Sequence, residues 1–242
     1  MRSLRLILLS GSALLLASAA GAAPVTPGTY LDVAIDGVPS GQYYQGQLGC
    51  TSGAGATFNC SGTGLVVDTL TIDSWSMNFD SDPVISGITA VTNNGPVTQQ
   101  FTLLFVLPIA PIPGGTLVGG SVQGGVTDNT GDGATLSTVL GSSFYTALID
   151  GAPVDTLYDH LTTVTAGSFL SANLASLAFG VPIPSQPGPA ALATIGIRLD
   201  FTLTPGDSAS FTSNFVVVVP EPSTALLMGL GLGLMALRRR QA

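Results

Sequence analysis

Two cysteines, Cys50 and Cys60, are the first residues whose type and spacing suggest chemistry, with nine residues between them in a Gly-rich stretch. In an exported chain such a pair is expected as a disulfide that staples a loop or hairpin end. Redox catalysis needs a closer spacing such as Cys-x-x-Cys, and two thiols with one distant histidine make a poor metal site. The segment Asp128-Asn129-Thr130-Gly131-Asp132-Gly133 sets oxygen side chains at positions 1, 3 and 5 and Gly at position 6. That is the first half of a calcium-binding loop, with Asp128, Thr130 and Asp132 as metal ligands. Position 12, where such a loop carries a bidentate carboxylate, is Val139. Two readings therefore stand, a calcium loop or a plain Asp-Gly turn between strands, and the missing ligand favours the turn. Asp80 and Asp82 form a weaker oxygen pair of the same kind.

For catalysis the inventory is thin. His160 is the only histidine, Glu221 the only glutamate, and lysine is absent. No Gly-x-Ser-x-Gly nucleophile elbow occurs. Asp155, Asp159 and His160 cluster in sequence, and two carboxylates at a suitable separation hydrolyse glycosides. In a chain this rich in Asp, however, near neighbours arise by chance, and these residues serve equally to cap a turn after a strand at 145–149. The expectation is a protein without catalytic residues; the alternatives are a calcium-stabilised adhesin and, behind it, a secreted Asp-dependent glycoside hydrolase.

The charge pattern narrows the partners. Between Ala23 and Val219 there are thirteen Asp and one Arg, a net of −12, whereas the other five Arg lie at the two ends. Such a body repels phosphate, so neither nucleic acid nor an anionic lipid patch is its expected partner. Neutral sugars and divalent cations remain compatible. With 45% hydrophobic residues and 8% charged, the chain is too apolar for disorder and long enough to bury a real core.

Both ends look like targeting segments. Arg2 and Arg5, an apolar run from Leu6 to Leu16 and small residues up to Ala22 describe a signal peptide over 1–22, followed by a mature body over 23–215. At the other end, over 216–242, Pro220-Glu221-Pro222 precede an apolar run from Ala225 to Leu237, and Arg238-Arg239-Arg240 follow. The run suits a single short or tilted transmembrane helix, and the three Arg hold its far end in the cytoplasm. This order closely resembles the PEP-CTERM sorting signal of Gram-negative exported proteins. The resemblance implies Sec export with signal-peptidase cleavage, transient anchoring in the inner membrane and removal of the tail by exosortase. It further implies a destination at the cell surface or in an extracellular matrix of exopolysaccharide, as in a biofilm. Parts of the body, at 78–83, 91–94, 127–137 and 201–213, resemble a pattern in other PEP-CTERM proteins that brings no activity with it.

The elements that must position these residues are strands. Apolar residues alternate with period two at Ile195, Ile197, Leu199, Phe201 and Leu203, and again at Trp75, Met77 and Phe79. A third set runs Val97, Phe101, Leu103, Phe105 and Leu107, and a fourth Ala209, Phe211, Phe215 and Val217. Asp36-Gly37, Asn94-Gly95-Pro96 and Asp150-Gly151 fit tight hairpins, while the Pro-rich stretches at 108–113 and 182–189 fit loops or edges. The expectation is all-β: ten to twelve short strands in an antiparallel two-sheet β-sandwich of jelly-roll type. Sugar sites need exposed aromatics, and Tyr30, Tyr43, Tyr44, Tyr145 and Tyr158 are available, with Tyr43 and Tyr44 on opposite faces of any strand that holds both.

Overall fold

The computed structural model describes residues 28, 30–54, 57–159 and 161–219. Its first eight strands are β1 (Tyr30–Ile35), β2 (Val38–Tyr44), β3 (Cys50–Ser52), β4 (Thr57–Val67), β5 (Leu70–Asp80), β6 (Val84–Asn93), β7 (Gln99–Pro108) and β8 (Thr116–Thr127). The next eight are β9 (Ala134–Thr138), β10 (Tyr145–Ile149), β11 (Ala152–Leu157), β12 (Thr163–Ala166), β13 (Ser171–Phe179), β14 (Gln186–Gly188), β15 (Thr194–Leu203) and β16 (Ser208–Val218). All recorded pairings are antiparallel, and they form two sheets of eight strands. One sheet runs β11-β10-β15-β7-β1-β2, with β9 on β15 and β12 on β9. The other runs β13-β8-β16-β6-β5-β4-β3, with β14 on β8. The count exceeds expectation in part because β3, β12 and β14, of three or four residues each, are too short to show alternation.

The core lies between the sheets. Leu31, Val33, Phe101, Leu103 and Ile197 of the first sheet meet Phe79, Ile85, Val91, Phe211 and Phe215 of the second, all buried. Period-two burial is cleanest in β16, where Ala209, Phe211, Phe215 and Val217 face inward with Ser213 between them. The strand pairs through Val218, so Val216 to Val218 belong to the sheet, past the boundary expected at 216. In β15 the apolar set is buried as expected, but Gly196 and Asp200 on its other face are buried too. The segment at 139–144 covers Asp200, whose carboxylate accepts hydrogen bonds from Ser142 Oγ, Thr102 Oγ1 and Arg198 Nε.

The turns divide the expectations. Asp36-Gly37 joins β1 to β2 and Asp150-Gly151 joins β10 to β11, each with two consecutive positive φ angles, the geometry of tight hairpin turns. Asn94-Gly95-Pro96 does not make a hairpin. It carries the chain from β6 in one sheet to β7 in the other, with Asn93 Oδ1 accepting the Gly95 N–H. Val97 accordingly precedes β7 and is exposed, not part of its apolar face. Of the Pro-rich stretches, 109–113 lies in a connection, bridged by Ile112 to Ala191, whereas 182–189 runs into the short strand β14 beside β8. Among the described residues no helix is long and apolar enough to cross a membrane. The expected signal peptide at 1–22 and the apolar run at 225–237 lie outside the described residues, as do Pro220, Glu221, Pro222, Arg238, Arg239 and Arg240.

Candidate functional sites

Two surface regions gather chemistry-bearing side chains. The first is an acidic cluster at one end of the sandwich, where β8 and β12 end and β9 and β16 begin. Oxygens of Asp128, Asp132 and Asp207 lie within 4.8 Å of one another. Asp128 is buried: its Oδ1 accepts the N–H groups of Thr130 (3.1 Å) and Gly131 (2.9 Å), and its Oδ2 that of Phe169 (2.7 Å). Thr130 Oγ1 lies between Asp128 and Asp132 and contacts both, although a hydroxyl has one proton to give. Asp207 comes from the turn between β15 and β16, accepting from Asn129 N and Thr204 Oγ1.

These contacts set opposite protonation behaviour on neighbouring carboxyls. Burial pushes Asp128 up, but backbone N–H bonds from Phe169, Gly131, Thr130 and Gly133 outweigh it and hold the carboxyl well below its ordinary range. Burial raises Asp207; the Thr204 hydroxyl and the Asn129 N–H pull it back, and Asp128 beside it pushes it up again, leaving it above its ordinary value. Arg198, the one basic side chain among the described residues, is committed to Asp200 at 2.8 Å. Among the described residues the cluster thus carries negative charge with no cation against it.

The sequence-based ligands Asp128, Thr130 and Asp132 are therefore brought together, but not as part of a twelve-residue loop. β9 starts at Ala134 and takes Val139 away along a strand. Asp207 stands in for the missing carboxylate, and nothing in the local spacing could have found it because the turn that carries it lies some seventy residues on. The donor set suits a hard cation in part: Asp132, Asp207 and Thr130 Oγ1 offer oxygens, whereas both Asp128 oxygens already accept N–H groups. The other oxygen pair is a turn cap, with Asp82 N donating to Asp80 Oδ1.

The second region is the outer face of β1, β2 and β7. Because Leu31, Val33 and Ile35 point inward, Tyr30, Asp32 and Ala34 point out. Across the strands Tyr30 is opposite Tyr44, and Asp32 opposite Gln42 and Leu104. The Tyr30 and Tyr44 rings are 6.5 Å apart, and Tyr44 is 55% exposed. Tyr44 Oη donates to Gln42 Oε1 at 2.8 Å, and Gln42 stands directly opposite Asp32 across the strands. Burial raises the Asp32 carboxyl above its usual value, with the Gln42 amide opposite it as a partial offset. A groove of about 520 Å³ runs beside these groups, lined by Asp32, Ala34, Pro39, Gln42, Thr102 and Leu104. Tyr43 packs on the core side, so the two adjacent tyrosines do face opposite ways. On the other sheet a smaller polar groove of about 340 Å³ is lined by Gln123, Asn173, Ser210 and Thr212.

The remaining candidates are scattered or structural. Asp155 lies in β11 and accepts Gln186 Nε2 at 2.6 Å and the Thr156 N–H. Asp159 follows β11, and His160 lies outside the described residues. Cys50 and Cys60 are disulfide-bonded as expected, directly opposite each other on β3 and β4. Tyr145 and Tyr158 are spent internally, donating to the carbonyls of Asn214 and Ala175.

The fold and surfaces thus define an acidic, disulfide-stapled all-β sandwich. Residues 218–241, beginning on the last residue of β16, match the family model of the PEP-CTERM protein-sorting motif. The chain carries that sorting signal, which implies export, membrane anchoring during processing, and exosortase as the processing partner. No curated protein matches the chain.

Proposed function

We propose that this is a non-enzymatic protein of the cell surface or extracellular matrix whose sandwich associates with exopolysaccharide once its sorting segment has been processed. The Tyr30, Asp32, Gln42 and Tyr44 face carries this reading. A sugar ring offers an apolar C–H face, which stacks on an exposed tyrosine, and a rim of hydroxyls, which bond to planar carboxylate and amide groups. Here the tyrosine and the amide are hydrogen-bonded and the carboxylate stands opposite the amide, beside an open groove. The acidic body disfavours anionic glycans, so a neutral polysaccharide is the class that fits. The non-enzymatic part is supported by Asp155 being held by Gln186 instead of facing a second carboxyl across a cleft. Replacing Tyr44 by Ala is expected to weaken retention on exopolysaccharide from the producing cells about tenfold, the scale of one lost aromatic contact. Unchanged retention would reject the face as the binding site.

A calcium-stabilised adhesin is the second reading, favoured by Asp207 joining Asp128 and Asp132. A cation that binds only the folded state raises its stability. In this reading millimolar calcium raises the melting temperature by several degrees over a chelator control, and Asp207→Asn removes the difference. Superimposable melts reject it.

A further inference from the structure

β16 ends at Val218, where the sorting segment begins. Only residues 220–224 lie between Val219 and the apolar run at Ala225, and at about 3.3–3.6 Å per residue even an extended chain spans roughly 20 Å there. A bilayer that holds the run must therefore lie close to the end of the sandwich from which β16 leaves. That end is built by the connections at 109–115 and 189–193, which cross between the sheets, and by the segment at 180–185 packed beside Gly119. No residue in 109–120 or 180–193 is charged. Val181, Leu192 and Val219 are more than half exposed there, and Ile183 is 36% exposed.

The molecule is polarised along β16. Asp36, Asp68, Asp128, Asp132 and Asp207 all lie at the opposite end, about 35 Å away by strand rise over eleven residues. At the near end one carboxylate, that of Asp150, is spent on the N–H groups of Leu192, Ala193 and Thr194. Asp80 and Asp82 sit on the other flank, at the turn between β5 and β6. An anionic lipid surface repels the far end and tolerates the near one.

We infer that, while the sorting segment is inserted, the 180–193 side of this end lies on the lipid surface. Val181, Ile183 and Leu192 enter the headgroup region, and the acidic cluster points away from the membrane. The inference rests on the reading of the tail as membrane-inserted. The test uses the chain with its sorting segment intact in vesicles of phosphatidylethanolamine and phosphatidylglycerol. A polarity-sensitive fluorophore is placed at Val181→Cys, Ile183→Cys, Leu192→Cys or, at the far end, Val97→Cys, all exposed positions, and quenched by spin-labelled lipid. Quenching at 181, 183 and 192 is expected to exceed that at 97 several-fold. If the protein floats with the vesicles but all four labels quench alike, the docking is overturned and this end is left to a protein partner. If it does not float at all, the reading of the tail falls, and the docking with it.

Discussion

Phe201→Ala is expected to lower stability by about 3–5 kcal/mol, the usual range for removing a fully buried ring. Phe201 is completely buried on β15, with its ring centroid 4.8 Å from that of Phe211 on β16 and 6.1 Å from that of Phe144, while Phe144 and Phe211 are 5.2 Å apart. This triangle ties the first sheet to the second through the segment that precedes β10, and Phe101 on β7 extends it at 5.7 Å. All three neighbouring rings are themselves buried, which places the cost high in its range. At about 2–4 °C per kcal/mol for a domain of this size, the melting temperature should fall by about 10 °C or more. Phe201→Leu, which keeps most of the volume, should lose far less. Thermal melts of the two variants check this, and equal, small losses would mean that the triangle does not join the sheets.

Loss of the Cys50–Cys60 disulfide is the next largest effect, about 2–3 kcal/mol from the entropy of closing a loop this short. The bond also secures a local structure. Just before Cys50, the Leu48 carbonyl accepts the indole N–H of Trp75 at 2.9 Å, and the Leu48 side chain is buried. Trp75 is the sole tryptophan, so it reports on this corner of the sandwich. Reduction, or the double change Cys50→Ala and Cys60→Ala, should lower the unfolding midpoint and shift tryptophan emission to the red as the segment at 45–50 loosens. A midpoint unmoved by reductant would show that the pair adds nothing to the fold.

Strand faces were legible in the sequence wherever five or more residues alternate, as in β15 and β16, because one-sided burial imposes period two directly. Register was not. The Asp36-Gly37 turn is plain, but a regular two-residue hairpin would set Tyr30 opposite Tyr43; a bulge at Ser40 shifts the pairing so that Tyr30 meets Tyr44 on the outer face. The same irregularity follows Asp150-Gly151, where Val154 is skipped and Ala147 pairs with Asp155. The surface that carries the proposed glycan contact was therefore hidden by one residue of slippage. The acidic cluster was half visible: Asp128, Thr130 and Asp132 announce themselves by spacing, but Asp207 reaches them only because β8 and β16 pair along their length. The disulfide and the sorting signal, both local in sequence, needed no tertiary information.

The most direct test of the proposed association is co-sedimentation of the mature protein with exopolysaccharide purified from the producing cells, comparing wild type, Tyr44→Ala and a Ser210→Ala, Thr212→Ala pair in the second groove. The account predicts that wild type and the pair sediment with the polysaccharide alike, while Tyr44→Ala remains largely in solution. Wild type that stays in solution, or a Tyr44→Ala protein retained as fully as wild type, would contradict it.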